Sequence, residues 1–444
     1  MSCSIAGIKN SWQWVRVTEC LLAPDWINQL TAFDRLVVGF SGGLDSTVLL
    51  HSLAAYPELR GKLYAVHIHH GLSVNADGWE AHCQQFCAAR AIPFITRRVD
   101  FPRAANIEEG ARTARYQVFS TLIADNDGLL LGHHGDDQAE TLLLQLLRGA
   151  GVDGMAAMTA VKPLAKGKLL RPFLSHTRQT LETYARLHNL HWIEDESNQD
   201  RAFSRNYLRH QVMPLLREKW PGAVTNLMRS ADHCQQAKNN LEALALIDCL
   251  DLAKKSDTLP MSLLTTLSYA RLSNVLRVWL KNNAVRMPSA KVFDRLINEV
   301  VFAAIDASPC VQWDNVVIKR YQQTLHLLQK KSISPAVNME WKNFPEPIQL
   351  EIGCLQATVV EGGLQVPVGG RVHVRFRQGG ELFHWRGQTK QLKKLLQQWQ
   401  VPPWQRDILP LIFIDDCLAA VVGFAISDYF YHPTTPSYQI KLRS

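Results

Sequence analysis

The chain has 444 residues, 47% hydrophobic and 20% charged, which fits a soluble globular protein of two or three domains and excludes a disordered or fibrous one. Its 48 Lys and Arg against 40 Asp and Glu leave a net charge of +8, compatible with a polyanionic partner but no proof of one. The longest uninterrupted apolar stretch, Leu418 to Ile426, is far too short to span a bilayer, and the start of the sequence lacks the basic-then-apolar pattern of a signal peptide. Nine scattered cysteines without a C-x-x-C pair point to reduced thiols in a cytoplasmic compartment. His82, Cys83 and Cys87 share a helix face but match no closed zinc site, and read as packed side chains.

From about Asp34 to Ile193, apolar β-type runs alternate with helical stretches, the pattern of an α/β, doubly wound parallel sheet. The predicted strands are Arg35 to Phe40, Leu63 to His69, Phe94 to Val99 and Gly128 to Gly132. Thr47 to Ala55, Ala76 to Arg90 and Glu108 to Asp125 are the helices between them. In such sheets ligands collect at the carboxyl ends of strands, near a topological switch point.

At the end of the first strand lies Ser41-Gly42-Gly43-Leu44-Asp45-Ser46. Two glycines let the backbone turn sharply, so that main-chain N–H groups and the next helix's first turn aim at one oxyanion. Ser41 and Ser46 add hydroxyls, while Asp45 would repel a bare phosphate unless Mg²⁺ bridges the two. Serine and aspartate acting as helix caps explain part of this, but a cap requires neither two glycines nor two hydroxyls around one acid. The Walker pattern G-x-x-x-x-G-K-[ST] is absent. The hexapeptide resembles the SGGxDS loop of the PP-loop ATP pyrophosphatases, and the resemblance implies ATP split between its α and β phosphates.

His67, His69 and His70 sit at the exit of the second strand, where an adenine would stack or accept hydrogen bonds. A metal is discounted there, because only His67 and His69 share a face and no carboxylate or cysteine follows nearby. Glu109, Arg112 and Arg115 fall on one helical face, which by itself reads as a solvated ion-pair ladder.

A second motif, Gly132-His133-His134-Gly135-Asp136-Asp137-Gln138-Ala139-Glu140-Thr141, opens an apolar helix that ends at Gly149. Its clustered acids repel one another unless a cation compensates, so something positive should bind there. The helix dipole accounts for one or two acids in a first turn, not for three beside two histidines. This block resembles the GHHxDDQxET signature of the tRNA(Ile)-lysidine synthetase branch of the PP-loop family. The stretches VHIHHGL and AR-x-x-RY, and the blocks Arg171-Pro172, Asp195-Glu196-Ser197-Asn198 and Arg205-Asn206-Tyr207-Leu208-Arg209, resemble that family too.

Between Lys162 and Arg178 five basic residues and no acid suit either a phosphate backbone or a solvated loop. After Trp220-Pro221-Gly222 the composition turns helical, over Ala223 to about Ala253, Met261 to Lys281 and Ser289 to Ala304. Val311 to Leu328 reads as two strands around Lys319-Arg320, and Lys330 to Pro347 as a polar linker. Short β runs then return. Arg371 to Lys394 carries seven basic residues against one acid, with Phe376, Phe383 and Trp385 interleaved, a pattern suited to RNA if cations meet phosphates and rings stack on bases. A small β domain with a basic rim is the plainer alternative. The expected organisation is a catalytic domain over 1–216, a mainly helical tRNA-binding domain over 217–330 and a small, basic α+β domain over 348–444.

What the lysidine synthetase resemblance implies is an enzyme that uses ATP and Mg²⁺ to adenylate the wobble cytidine of tRNA(Ile) with a CAU anticodon. Free L-lysine then displaces AMP at carbon 2. By that resemblance Ser41, Gly42, Gly43, Leu44, Asp45 and Ser46 hold ATP, with Asp45 on the metal. Asp45, Arg112 and His133 sit near the reacting groups, Asp137 and Glu140 receive lysine, and Arg205, Arg371, Arg375 and Arg377 contact the tRNA. Two rivals stay open: another PP-loop tRNA-modifying enzyme, and a non-catalytic RNA-binding protein that senses a nucleotide. Oligomeric state is not legible.

Overall fold

Leu36 and Val38 of the strand Arg35–Gly39 (β1) are buried in one apolar cluster and Val37 in another, so both faces of this strand are covered. A computed structural model of the protein describes residues 20–71, 73, 75–100, 107–196, 203–304, 307–329, 338–434 and 436–443. The chain divides into two compact units, Met1–Leu244 and Ala245–Ser444.

In the first unit β1 pairs in parallel with Leu63–His69 (β2) and with Asp127–Leu130 (β4). Phe94–Arg98 (β3), Val161–Leu164 (β5) and Gly167–Leu170 (β6) complete a six-stranded sheet in the order β3-β2-β1-β4-β6-β5, parallel except for β5. The helices in chain order are Pro24–Thr31 (α1), Leu44–Ala54 (α2), Ala76–Ala88 (α3), Ile107–Leu122 (α4), Gly135–Leu147 (α5) and Arg178–Leu187 (α6). α2, α3 and α6 bury Leu49, Cys83, Phe86 and Leu181 against one sheet face, and α4 buries Phe119 against the other. The strand order reverses between β1 and β4, so their carboxyl ends flank the switch point where such sheets hold ligands. Ser204–Tyr207 (α7), a π-helical turn over Leu208–Val212, Met213–Lys219 (α8) and Ala223–Asp248 (α9) follow. Met213 and Val224 pack on Ala139 of α5.

The basic stretch after Lys162 is a hairpin, β5–β6, and not an open loop. Lys162, Lys166 and Lys168 are its exposed cations, while Arg171 is buried.

The second unit holds more sheet than a mainly helical reading anticipates. Thr258–Pro260 (β7), Cys310–Trp313 (β8), Val316–Tyr321 (β9) and Thr324–Gln329 (β10) form a sheet in the order β7-β10-β9-β8. It shares a core with Tyr269–Asn282 (α10) and Ala290–Arg295 (α11). Three strands replace the expected two in residues 310–329. Lys319 and Arg320 lie inside β9, and the reversal falls at Gln322-Gln323, both with positive φ. That dipeptide lacks the Asn-Gly or Asp-Gly chemistry that marks such turns. The helix expected from Met261 starts only at Tyr269, after the N-cap Ser268.

Of the expected linker, 330–337 lies outside the described residues, while Asn338–Glu340 (β11) pairs with Val372–Arg375 (β12) and Trp341 is buried. Two five-stranded antiparallel sheets, led by β12 with Leu411–Ile414 and by Gly353–Val360 with Ser437–Arg443, enclose the last core. A hairpin, Leu382–Trp385 with Gln388–Gln391, and the helix Leu392–Gln398 (α12) sit beside it.

Candidate active site

The loop after β1 is braced from within. Ser41 N–H donates to Ser46 Oγ at 3.2 Å, Ser46 Oγ donates to the Gly43 carbonyl at 3.1 Å, and Gly43 N–H donates to Ser41 Oγ at 3.3 Å. Gly42 has φ +82°, and a Cβ there would lie 2.6 Å from Ile193 Cδ1 and 2.8 Å from Cys83 Sγ. Glycine is therefore required twice over, by conformation and by space. No side chain caps the first turn of α2, so its N–H groups stay available to an anion. Gly132 after β4 comes equally close: an added Cβ would stand 2.8 Å from the Asp45 carbonyl oxygen. Loop and second motif thus form one wall.

α5 opens with a reciprocal cap. Asp136 N–H donates to His134 Nδ1 at 3.2 Å, and His134 N–H donates to Asp137 Oδ2 at 3.0 Å. The acceptor role of Nδ1 describes a neutral ring. Burial favours that form as well, but Asp137, Asp136 and Asp45 outweigh burial and raise its proton affinity to about 10. In either charge state Nε2 bears a proton, 3.6 Å from both Asp45 Oδ1 and Asp137 Oδ2.

The positive charge that the acid cluster demands comes from the chain itself. Glu140, 1% exposed, accepts from Arg205 Nε at 2.9 Å and from Arg209 Nε and Nη2 at 2.7 and 3.0 Å. Asp137 Oδ1 accepts from Arg209 Nη2 at 3.1 Å, and Asp136 accepts from Arg217 and from Arg178 N–H. Burial opposes ionisation of Asp137, yet His134, Arg205 and Arg209 together hold its carboxyl well below the usual range. Arg205, expected to face RNA, is turned inward because a buried carboxylate needs a cation. Arg209 and Arg217 are site residues that sequence reasoning underweighted or missed. The available signal for Arg209 was its spacing of four from Arg205, which suits one helix face, whereas Arg217, twelve residues on, carried no such signal.

His133 accepts from Arg171 Nε at 3.2 Å. Burial, opposed by Asp137 and helped by Arg171, Arg205 and Arg112, lowers its affinity for a proton to about 3, so it is neutral. Arg112 is exposed on α4 with its guanidinium 5.2 Å from the Tyr116 ring centre, while Arg115 reaches His70 Nε2 at 3.4 Å. The two arginines of the expected ladder therefore diverge.

His67 is buried, with Nδ1 donating to the Phe40 carbonyl at 3.0 Å. Against the expectation, carboxylates do come near His69: its Nε2 is 3.1 Å from Asp77, and Glu80 is close by. Arg98 already occupies that place as a cation, 2.8 Å from Asp77 and 3.6 Å from Glu80. Ser197 and Asn198 lie outside the described residues.

In the second unit, Phe376 and Phe383 are core residues and Trp385 packs edge-on against Trp399, so this interleaved set offers no row of open rings. Alternation put those side chains inward and the cations outward. Arg371 is exposed, Arg375 pairs with Asp416, and Arg377 lies 3.4 Å from Asp407 and 3.9 Å from Glu381.

Three family descriptions match the chain: a PP-loop domain over residues 20–216, a TilS substrate binding domain over 259–326 and a TilS substrate C-terminal domain over 372–440. A tRNA(Ile)-lysidine synthase of Legionella pneumophila is 53% identical over 417 residues, covering 94% of this chain and 96% of its own. The chain belongs to the tRNA(Ile)-lysidine synthase family. A member from Coxiella burnetii is 41% identical over 93% of this chain and 94% of its own. Among solved structures, the U34-tRNA thiolase NcsA of Methanococcus maripaludis, described with its iron–sulfur cluster, aligns at 17% identity and a TM-score of 0.41. That alignment covers 49% of this chain and 77% of the thiolase. Family membership agrees with the α/β PP-loop architecture of the first unit and the β-rich end of the second.

Proposed function

We propose that this enzyme converts the wobble cytidine of tRNA(Ile) bearing a CAU anticodon into lysidine, consuming ATP and L-lysine and releasing AMP and pyrophosphate. The observation that carries the reading is the meeting, at one switch point, of an uncapped anion cradle and a carboxylate cluster, in a chain of this family.

The loop Ser41 to Ser46 holds the ATP phosphates through main-chain N–H groups. Asp45 Oδ1 is buried and makes no hydrogen bond, His134 Nε2 facing it at 3.6 Å, a hard oxygen that fits Mg²⁺, which would neutralise charge on the departing pyrophosphate. The cytosine O2 attacks the α-phosphorus, and the bond to the β-phosphate oxygen breaks. His133 and Arg112 stabilise the charge that develops. In the second half, the lysine amine bonds to carbon 2, the carbon–oxygen bond breaks with its electron pair leaving on AMP, and the amine gives up a proton. The loop and the acid cluster chiefly position the reactants.

Asp137 and Glu140 receive lysine's ammonium group in exchange with Arg205 or Arg209. Two shared guanidinia support this, because one cation can then replace another without stripping a carboxylate bare. Arg371, Arg375 and Arg377 contact the tRNA backbone. No helix among the described residues is long and apolar enough to cross a membrane, and the reaction belongs in the cytoplasm with its tRNA.

The test is release of labelled pyrophosphate from ATP with unmodified tRNA(Ile), with and without lysine, beside an Asp45→Ala control. Release that needs this tRNA, with lysine appearing covalently in the RNA, supports the reading. Release with another acceptor would replace the substrate, and tRNA binding without turnover would favour a sensor.

A further inference from the structure

We propose that Arg171 is a positioning residue that fixes His133 as a neutral imidazole with its proton on Nε2, so that His133 meets the reacting groups as a hydrogen-bond donor and not as a base. The inference rests on the reading above only in placing His133 beside the substrate.

Arg171 follows directly on β6 and is 3% exposed, buried like a core residue although always charged. Among the described residues it makes no ion pair with a carboxylate, an expensive arrangement for a structural arginine. Its main-chain N–H donates to the Ala160 carbonyl at 2.8 Å and its Nη1 to the Thr159 carbonyl at 2.7 Å. Both ends of the residue are therefore tied to the segment that leads into β5. Of its other N–H groups, Nε–H is aimed at His133 Nδ1 at 3.2 Å, while the Tyr116 hydroxyl also lies beside the guanidinium.

A guanidinium has donors and no acceptor, so the nitrogen it faces must offer a lone pair. In a neutral ring the proton then sits on Nε2. The groups that face His133 are Asp137 on α5, which favours charge, and Arg171, Arg205 and Arg112, which oppose it together with burial. With Nδ1 engaged and Nε2 already protonated, His133 has no lone pair to offer. The proton released by the lysine amine therefore goes to another acceptor. Nε2–H is left to stabilise negative charge, on the α-phosphoryl oxygens in the first half or on departing AMP in the second.

The experiment uses the full chain labelled with ring ¹⁵N in histidine, free of ATP and tRNA, with Arg171→Met, Arg171→Lys, His133→Gln and His133→Asn variants. The His133→Gln spectrum identifies the resonances. In the wild type, Nδ1 is expected unprotonated and Nε2 protonated, without titration between about pH 5 and 8. Arg171→Met is expected to raise the His133 midpoint by a unit or more and to slow pyrophosphate release roughly 10- to 100-fold, the range for outer partners of functional histidines. Arg171→Lys, which keeps a charge and an N–H donor, restores part of both. Glutamine carries an amide N–H near the place of Nε2 and asparagine near that of Nδ1, so His133→Gln should retain more activity than His133→Asn.

A wild-type His133 that titrates in the ordinary range, a proton found on Nδ1, or an asparagine variant outperforming glutamine overturns the proposal. Were Arg171→Met not to fold, the wild-type spectrum and the two His133 variants would still decide it. The ring's state is read without substrate, so lysidine chemistry absent from a protein with the expected spectrum refutes the functional reading and leaves the tautomer assignment supported.

Discussion

Replacing Glu140 with glutamine tests whether the arginines around it hold the site together. The carboxylate is 1% exposed and takes three hydrogen bonds, from Arg205 Nε and from Arg209 Nε and Nη2, at 2.7 to 3.0 Å. Glutamine keeps the shape but sets an N–H₂ against one guanidinium and leaves two positive charges with Asp137 alone. Breaking a buried pair by neutralising one partner costs about 3–5 kcal/mol. The arginine side chains are 24% and 25% exposed, so water offsets part of that, and about 3 kcal/mol is the working figure. For a unit of this size it lowers Tm by roughly 6–12 °C. Scanning calorimetry of the full chain checks it, with Glu299→Gln as the control. Glu299 pairs with Arg295 on an exposed helix face, and its removal should leave Tm unmoved. A double-mutant cycle of Glu140→Gln with Arg209→Met isolates the pair and is expected to give coupling above about 1 kcal/mol. A cycle at zero, or a Glu140→Gln midpoint no lower than the control's, refutes the claim that these charges hold α5 to the π-helical turn.

Gly42→Ala should abolish detectable ATP binding by calorimetry while the fold persists by circular dichroism. Its Cβ would strike Ile193 and Cys83 at a positive φ, and the loop must move; unchanged affinity would sink the cradle. Asp127, the buried first residue of β4, accepts from Arg35 Nε at 3.1 Å. Burial opposes its ionisation, but Arg35 and the Ala124 N–H hold its pKa below the model-peptide value. The folded state thus binds this proton less readily than the unfolded one. Its stabilisation is complete above about pH 4 and fades as pH falls through the lower folded value. Asp127→Asn should flatten chemical-denaturation stability across that acid window, and an unchanged slope would remove the pair from the ledger. Arg371→Glu should weaken tRNA binding and lower the slope of log K against log salt by about one contact, measured by filter binding. Arg377→Glu should do less, because Asp407 and Glu381 already offset that cation; equal effects would argue against this reading of the rim.

The loop proposed to hold the nucleotide is local in sequence, and that is why its geometry could be read. Turn, hydroxyls and acid of the Ser41 to Ser46 loop occur within six residues, and the strand and helix that aim them adjoin directly. Glycine's role at position 42 needed only the idea of a sharp turn; what the structure adds is that Cys83 and Ile193, far along the chain, close the space around it. The aromatic residues between Phe376 and Trp385 misled for the opposite reason. Alternation of cation and ring is the same pattern whether the rings face a base or a core, and only the sheets of the second unit settle the side.

Charge compensation was harder to read, since a carboxylate cluster announces a missing cation without saying whether it is a ligand or the chain's own. Here Asp136, Asp137 and Glu140 find Arg217, Arg209 and Arg205 some 65 to 81 residues later. Those arginines ride on α7, the π-helical turn and α8, and their four-residue spacing lets positions 205 and 209 reach one carboxylate together. The arrangement has a consequence for turnover. A carboxylate pair already neutralised by two guanidinia is stable without substrate, yet can accept an ammonium ion by exchange at small electrostatic cost. On the lysine site proposed above, the substrate competes with side chains instead of with bare water. Its affinity should therefore rise when Arg205 is shortened to a neutral residue, even as the protein loses stability, whereas a lysine site independent of this cluster would show no such gain.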